Sequence, residues 1–354
     1  MKQLVINPGS TSTKIGVFED LELIFEKTLR HDVSELQKYE NIVDEIPFRL
    51  DIILKALEEH QISVDSLSAI VGRGGLLKPI PGGTYEINEK MLHDLRSGFL
   101  GQHASNIGGI LANEIAKKHN RPSFIVDPVV VDELEPIARI AGHPRFERKS
   151  IFHALNQKAV ARRAAKEMGK TYESCGLIVV HLGGGISVGA HRNGQVVDVN
   201  NALDGEGPFS PERSGTLPCG DLLKVAYSGE VSHDEMKKML KGNGGLTAYL
   251  GTNNAKLVSD MCKEGDSNAC LIYEAMAYQV AKSVGANAAV LEGNVDAIII
   301  TGGIAYDQQF VEWIKKRVNF IAKVLVYPGE DELTALAEGG LRILNGEEEA
   351  RIYE

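Results

Sequence analysis

No apolar run in this 354-residue chain approaches the ~20 residues that span a bilayer. Met1 leads straight into a strand-like segment, without the pattern of a signal peptide. Positive charge is short as well: 38 Lys and Arg against 48 Asp and Glu give a net charge of −10. That balance argues against a nucleic-acid-binding surface, so neither a membrane nor a nucleic acid is expected as a partner. The cysteines, Cys175, Cys219, Cys262 and Cys270, have neither CxxC nor zinc-ligand spacing. Reduced thiols in a cytoplasmic protein are therefore expected. The length suits about two domains, each with its own core.

Two expected nucleotide motifs are also missing. Gly169-Lys170-Thr171 imitates the end of a P-loop, but Ala164 stands where its first glycine belongs. Gly183-x-Gly185 follows a strand like a dinucleotide fingerprint, yet it leads into another strand, so no helix N-terminus would meet a pyrophosphate.

What is present is a hairpin, used twice. Leu4–Ile6 and Lys14–Phe18 read as strands around Asn7, Pro8, Gly9, Ser10, Thr11, Ser12 and Thr13. Short donors, a glycine and Lys14 would suit phosphate oxygens, although a Ser/Thr-rich turn can also be only a turn. The second copy runs from Leu177 to Val199, with Gly183-Gly184-Gly185 at its tip.

The elements after each hairpin repeat too. In the first half, Pro47 opens a helix with Leu50, Ile53, Leu54 and Leu57 inward and Arg49, Lys55, Glu58 and Glu59 outward. A strand at 68–71 ends in Gly72-Arg73-Gly74-Gly75, a Pro/Gly-rich loop follows, then a helix from Asn106 to His119. A strand at 123–126 runs into Asp127-Pro128. The predicted order is ββ βαβαβ. The second half follows it with an insert at about 200–267, a helix at 269–291, a strand at 297–301 ending in Gly302-Gly303, and further elements to 326. Residues 1–149 are expected to form one lobe and 150–333 a nucleotide-binding lobe, with a last helix at 334–346 packing back on the first. Ligands of open α/β sheets bind beyond the carboxyl ends of the strands, so the repeated loops would surround one cleft.

These features resemble the sugar kinase, actin and heat-shock chaperone superfamily. The resemblance implies an α/β, duplicated ribonuclease-H-like (actin-like ATPase) fold, with two lobes and a nucleotide cleft between them. Within it, INPGSTSTK, VGRGG, SIFHALNQKAVA, HLGGGISVGAH and PERSG are similar to the acetate and butyrate kinase family along nearly the whole chain. Gly184 stands where acetate kinases carry asparagine, and GGLLKPIPGG and VVVDELEPIARIAGHP look like the butyrate kinase branch.

The resemblance implies a reversible transfer, butyrate + ATP to butyryl phosphate + ADP. Isobutyrate, acetate or propionate are alternative acceptors, and the acid or its acyl phosphate is the small-molecule partner. A short carboxylic acid is already ionised at neutral pH, so no general base is needed. The chemistry should rest on positioning, charge neutralisation and Mg²⁺. Arg73 and Arg213 are implied as catalytic cations, His153 as a donor at a helix start, and Asp127 as organiser of Mg²⁺, with Glu332 beside Asp331 as a second acid. Asp127 and Glu332 could also be turn caps, and His181 could be structural. Asn7, Ser10, Ser12, Lys14, His181 and Gly183 to Gly185 are implied at the phosphates, and Gly302, Gly303 and Ile304 along the adenosine. His103 matches less cleanly. Ile80, Pro81, Val129 and Val130 could line an acyl pocket. By the same resemblance a homodimer or higher homo-oligomer is expected. An actin- or chaperone-like ATPase is the alternative of another class; no room is expected for the appended peptide-binding domain of a chaperone, and a filament former would sediment with ATP.

Overall fold

The apolar alternation at the N-terminus forms a hairpin in the computed structural model, which describes all residues from 1 to 354. β1 (Lys2–Pro8) and β2 (Ser12–Glu19) are antiparallel, with Asn7 opposite Lys14. β3 (Glu22–Arg30), β4 (Ala69–Arg73), β5 (Thr84–Glu86) and β6 (Ser123–Val126) complete a sheet of order β3-β2-β1-β4-β6-β5. β4 and β6 run parallel to β1, so their carboxyl ends share one edge.

Alternation sends Leu4, Ile6 and Ile70 into one core with residues of helices Ile46–Glu59 and Asn106–Lys118. On the other face lies helix Glu332–Leu344. It comes close because it is small there: a Cβ at Gly340 would stand 2.1 Å from Gln3 Oε1, and one at Gly339 2.4 Å from Val126.

The second sheet comprises β7 (Gly176–Leu182), β8 (Ile186–Arg192), β9 (Gln195–Val199), β10 (Ala297–Gly302) and β11 (Lys323–Pro328). Its order is β11-β10-β7-β8-β9. This is the wiring of β6-β4-β1-β2-β3 repeated, down to two antiparallel pairs and two parallel ones. Ile178, Val180, Ile298 and Ile300 pack with residues of helices Ser267–Val290 and Gln308–Val318. Their neighbours Leu177, Val179, Ala297 and Ile299 pack with helix Ala154–Glu167. The chain divides into two compact units, Met1–Val131 with Asp331–Glu354, and Asp132–Glu330.

Several expectations are corrected. The Pro/Gly-rich stretch after β4 holds β5 and a helix, Glu89–Ser97, capped where the Asn88 side chain accepts the Met91 N–H at 2.9 Å. Arg49 does not face outward: it is fully buried, on the same stripe as Ile53, Ala56 and Leu57. Cys262 and Cys270 are joined in a disulfide and are not free thiols, because Asp266 caps helix Ser267–Val290 just after helix Ala255–Lys263 ends. Cys175 and Cys219 are free. No helix is long and apolar enough to cross a membrane.

Candidate active site

In the first unit the β1–β2 turn is built around Arg49. Its Nη1 donates to Gly9 O at 2.9 Å, Ser12 O at 3.0 Å and Thr13 Oγ1 at 3.0 Å, and its Nη2 to Ser10 O at 3.1 Å. Glu45 balances the charge, accepting from Arg49 Nε at 2.8 Å. All peptide bonds are trans, so a carbonyl facing Arg49 turns the next residue's N–H the opposite way. The Ser10 and Thr11 amides therefore point away from the buried cation.

His31 completes this base. Its Nε2 lies 2.9 Å from Thr13 Oγ1, and its buried Nδ1 has no hydrogen-bond partner. Burial, with a lesser contribution from the Arg49 charge, holds the imidazole down at about 4.

At the carboxyl end of β4, Arg73 forms an ion pair with Glu332 and donates to Asn7 Oδ1 at 3.3 Å. Asn7 Nδ2 donates to Glu332 Oε2 at 2.7 Å. Asn7, Arg73 and Glu332 thus form one half-buried cluster from β1, β4 and the start of the last helix. A backbone without side chain makes this end of β4 possible: a Cβ at Gly72 would stand 2.3 Å from Gly108 O.

Asp127 follows β6 in the left-handed region, at φ +36°. It is buried; its carboxylate accepts the Gly83 N–H at 2.7 Å, and its own N–H donates to Gly83 O at 3.0 Å. Ile80 donates its N–H to Val130 O at 3.3 Å, and both side chains pack half-buried against the core. Lys14 is paired with Glu26 at 2.9 Å, and His103 Nδ1 lies 2.8 Å from Ser105 Oγ.

The second unit carries the histidines. The rings of His153, at the start of its helix, and His181, in β7, are stacked with centroids 3.7 Å apart and planes 9° from parallel. His181 Nδ1 lies 2.8 Å from Asn156 Oδ1 and Nε2 3.0 Å from Glu330 Oε1. A Cβ at Gly183 would sit about as close to both His181 Nε2 (3.0 Å) and Glu330 Oε1 (3.1 Å), so glycine opens the turn beside this pair. Gly184 O accepts from Ser210 Oγ at 2.7 Å.

Arg213 lies across the same turn: a Cβ at Gly185 would be 2.0 Å from its Nη1. Nη1 donates to Ala202 O at 2.6 Å, and Nε is buried without a partner. Burial lowers the hold of Arg213 on its proton, and Glu212 and Asp204 pull the other way. At the end of β10, Gly302 has φ +92°, and a Cβ there would lie 2.3 Å from Leu182 O. Ile304 is buried, while Gly303 has open space where a side chain would be.

The structure therefore brings together Asn7, Arg73 and Glu332 in one unit. In the other it brings together His153, His181 and the glycine turn with Arg213. Sequence reasoning missed Arg49, Asn156, Gln157 and Ser187. Arg49 and Gln157 could have been found as polar residues falling on buried helical stripes.

Two sheets with the same wiring, each with a hairpin turn and a glycine-rich parallel-strand end, define a duplicated ribonuclease-H-like fold. The family model described as the acetokinase family matches residues 145–327. Butyrate kinase 1 of Clostridium acetobutylicum is 60% identical over 351 residues, 99% of each chain. Butyrate kinase 2 of the same organism is 58% identical over 353 residues, 100% of this chain and 99% of that one. The chain belongs to the acetokinase family. In fold it is similar to an acetate kinase from Porphyromonas gingivalis (TM-score 0.80, 20% identity, 97% of this chain and 99% of that one). A propionate kinase from Francisella tularensis subsp. tularensis is also similar (TM-score 0.75, 19% identity, 96% and 98%).

Proposed function

We propose that this protein is a butyrate kinase, moving the γ-phosphoryl group of ATP reversibly to the carboxylate of a short-chain fatty acid. The observation that carries this reading is the identity of 58–60% to two butyrate kinases over the whole chain. In the transfer a carboxylate oxygen bonds to the γ-phosphorus as the bond to the β,γ-bridging oxygen breaks, and ADP leaves with that electron pair. Both reactants are anionic, so the protein's work is to place them and to offset their charge.

The residues divide that work. The outward amides of Ser10 and Thr11, with Asn7, Ser12 and Lys14, receive phosphate oxygens. Arg73 carries its guanidinium at the end of β4, oriented by Glu332 and Asn7. In the other unit the Gly183–Gly185 turn and His181 hold the polyphosphate chain, Arg213 offsets charge on the transferring group, and His153 donates a hydrogen bond to it. Gly302, Gly303 and Ile304 lie along the adenosine. Burial of Arg213 strengthens its electrostatics by excluding water.

No group of three or more His, Cys, Asp or Glu is arranged to hold a metal ion. Mg²⁺ binds through one or two carboxylates, waters and substrate phosphates. Asp127, with Glu332 as the second acid, would hold it through water. Bound there, the ion would neutralise phosphate charge.

Butyrate is preferred over isobutyrate, propionate or acetate in this reading, with Ile80, Pro81, Val129 and Val130 lining the acyl chain. One methylene is worth only ~1–3 kcal/mol in such a pocket, so the acids are to be compared side by side. Trapping acyl phosphate as the hydroxamate should give the highest kcat/KM with butyrate; absence of butyrate turnover would overturn the proposal. A cytoplasmic homodimer belongs to the same reading, and a monomeric mass in solution would remove that part of it.

A further inference from the structure

A buried polar chain runs back from His153 through the second unit. His153 Nδ1 lies 2.9 Å from Ser187 Oγ. Gln157 Nε2 donates to Ser187 Oγ at 2.8 Å and to Ser187 O at 3.1 Å. Gln157 Oε1 faces His191 Nε2 at 3.0 Å, and His191 Nδ1 faces the Tyr172 hydroxyl at 2.8 Å. Ser187, Gln157 and His191 are fully buried, and Tyr172 nearly so.

The protons of this chain follow from one fixed point. The backbone carbonyl of Ser187 can only accept, so the Gln157 group beside it must be the amide nitrogen. Its oxygen then faces His191, whose Nε2 must carry hydrogen, leaving Nδ1 to accept from Tyr172. Burial, reinforced by Lys158 and Arg162, keeps His191 from taking a second proton. Ser187 Oγ accepts the Gln157 N–H, and His153 Nδ1 is the one acceptor among its partners, so this fully buried hydroxyl gives its hydrogen to His153 Nδ1. His153 therefore carries its own hydrogen on Nε2.

We infer that Ser187 and Gln157 are positioning residues that fix the Nε2–H tautomer of His153, the form that donates a hydrogen bond to the transferring phosphoryl group. The donation rests on the phosphotransferase reading above; the tautomer does not. The stacking on His181 fixes the ring plane, and the chain fixes which edge of that ring carries hydrogen. The fold keeps room for it: a Cβ at Gly189 would lie 2.7 Å from Gln157 Oε1 and 3.3 Å from His191 Nε2.

Gln157→Glu tests the device by reversing it. A carboxylate only accepts, so the Ser187 hydroxyl turns toward it and accepts a hydrogen from His153 Nδ1 instead. Ser187→Ala removes the relay without burying a charge and serves where the first variant folds poorly. In ¹⁵N-histidine-labelled wild type, long-range nitrogen–proton spectra should show His153, assigned with a His153→Gln control, protonated on Nε2. The reversed variant should show it on Nδ1. With ATP and butyrate, kcat should fall about 10²-fold or more in either variant, as for loss of one oriented donor or a wrong tautomer. KM for ATP should stay within about threefold, since the donation strengthens only as charge develops. Nδ1–H in the wild type overturns the inference, and so does a kcat within threefold of wild type in either variant. A wild type with Nε2–H and no turnover of any short-chain acid would leave the tautomer standing and defeat the butyrate kinase reading instead.

Discussion

Replacing Arg49 by Met should loosen the β1–β2 turn more than any substitution among its exposed residues. The guanidinium satisfies four oxygens of the turn from a fully buried position. Hydrogen bonds from a charged donor contribute roughly 1.5–3 kcal/mol each, though four sharing one group will not add. Glu45, itself buried, is left without its partner, and breaking such a pair costs about 3–5 kcal/mol. A local loss of about 4 kcal/mol is expected, which corresponds to about 10³-fold faster amide exchange in the peptide spanning residues 7–14. Hydrogen exchange followed by mass spectrometry reads this directly. The double variant Glu45→Leu/Arg49→Met should recover the part that comes from the stranded carboxylate and leave the turn loose. Exchange in residues 7–14 within threefold of wild type in Arg49→Met would refute the clamp.

Other outcomes follow from the same geometry. His31 is held at about 4 in the folded protein, below the ordinary value, so the unfolded chain binds the extra proton first. Its stabilising contribution is full above about pH 6.5 and is lost as pH falls toward 4, by up to roughly 3 kcal/mol. Urea midpoints against pH should show this slope, and His31→Asn should flatten it. Arg73→Ala and Arg213→Ala should each lose roughly 3–4 kcal/mol of transition-state stabilisation; near-normal turnover in either folded variant would remove that residue from the mechanism. Gly302→Ala forces a Cβ against Leu182 O at a positive φ and should destabilise by about 3 kcal/mol. An unchanged melting temperature would count against that packing.

Legibility in the sequence followed physical range. The hairpins of β1–β2 and β7–β8 were readable because alternation and turn chemistry are local, and the repeat of the wiring followed from them. The helix at Glu89–Ser97 was missed although Met91, Leu92 and Leu95 mark its buried stripe, because it is short and follows a Pro/Gly-rich run. Arg49 was read outward because charge outweighed its place on the apolar stripe; only the four oxygens it meets, from another element, explain its burial. The disulfide needed the approach of two helix ends. Ser187 and Gln157 could not be seen as a pair, since what joins them is a contact between β8 and a helix 30 residues earlier.

The last helix has a consequence for biosynthesis. Residues 332–344 cover the face of the first sheet that bears Gln3, Val71 and Val126. A nascent chain has made β1, β4 and β6 long before that cover emerges, whereas Asp132–Glu330 is contiguous and can settle as soon as it is out. The half translated first is thus finished last, and until then it presents a bare apolar sheet to solvent, where chaperones or aggregation compete for it. A chain cut at residue 330 should accumulate in the insoluble fraction.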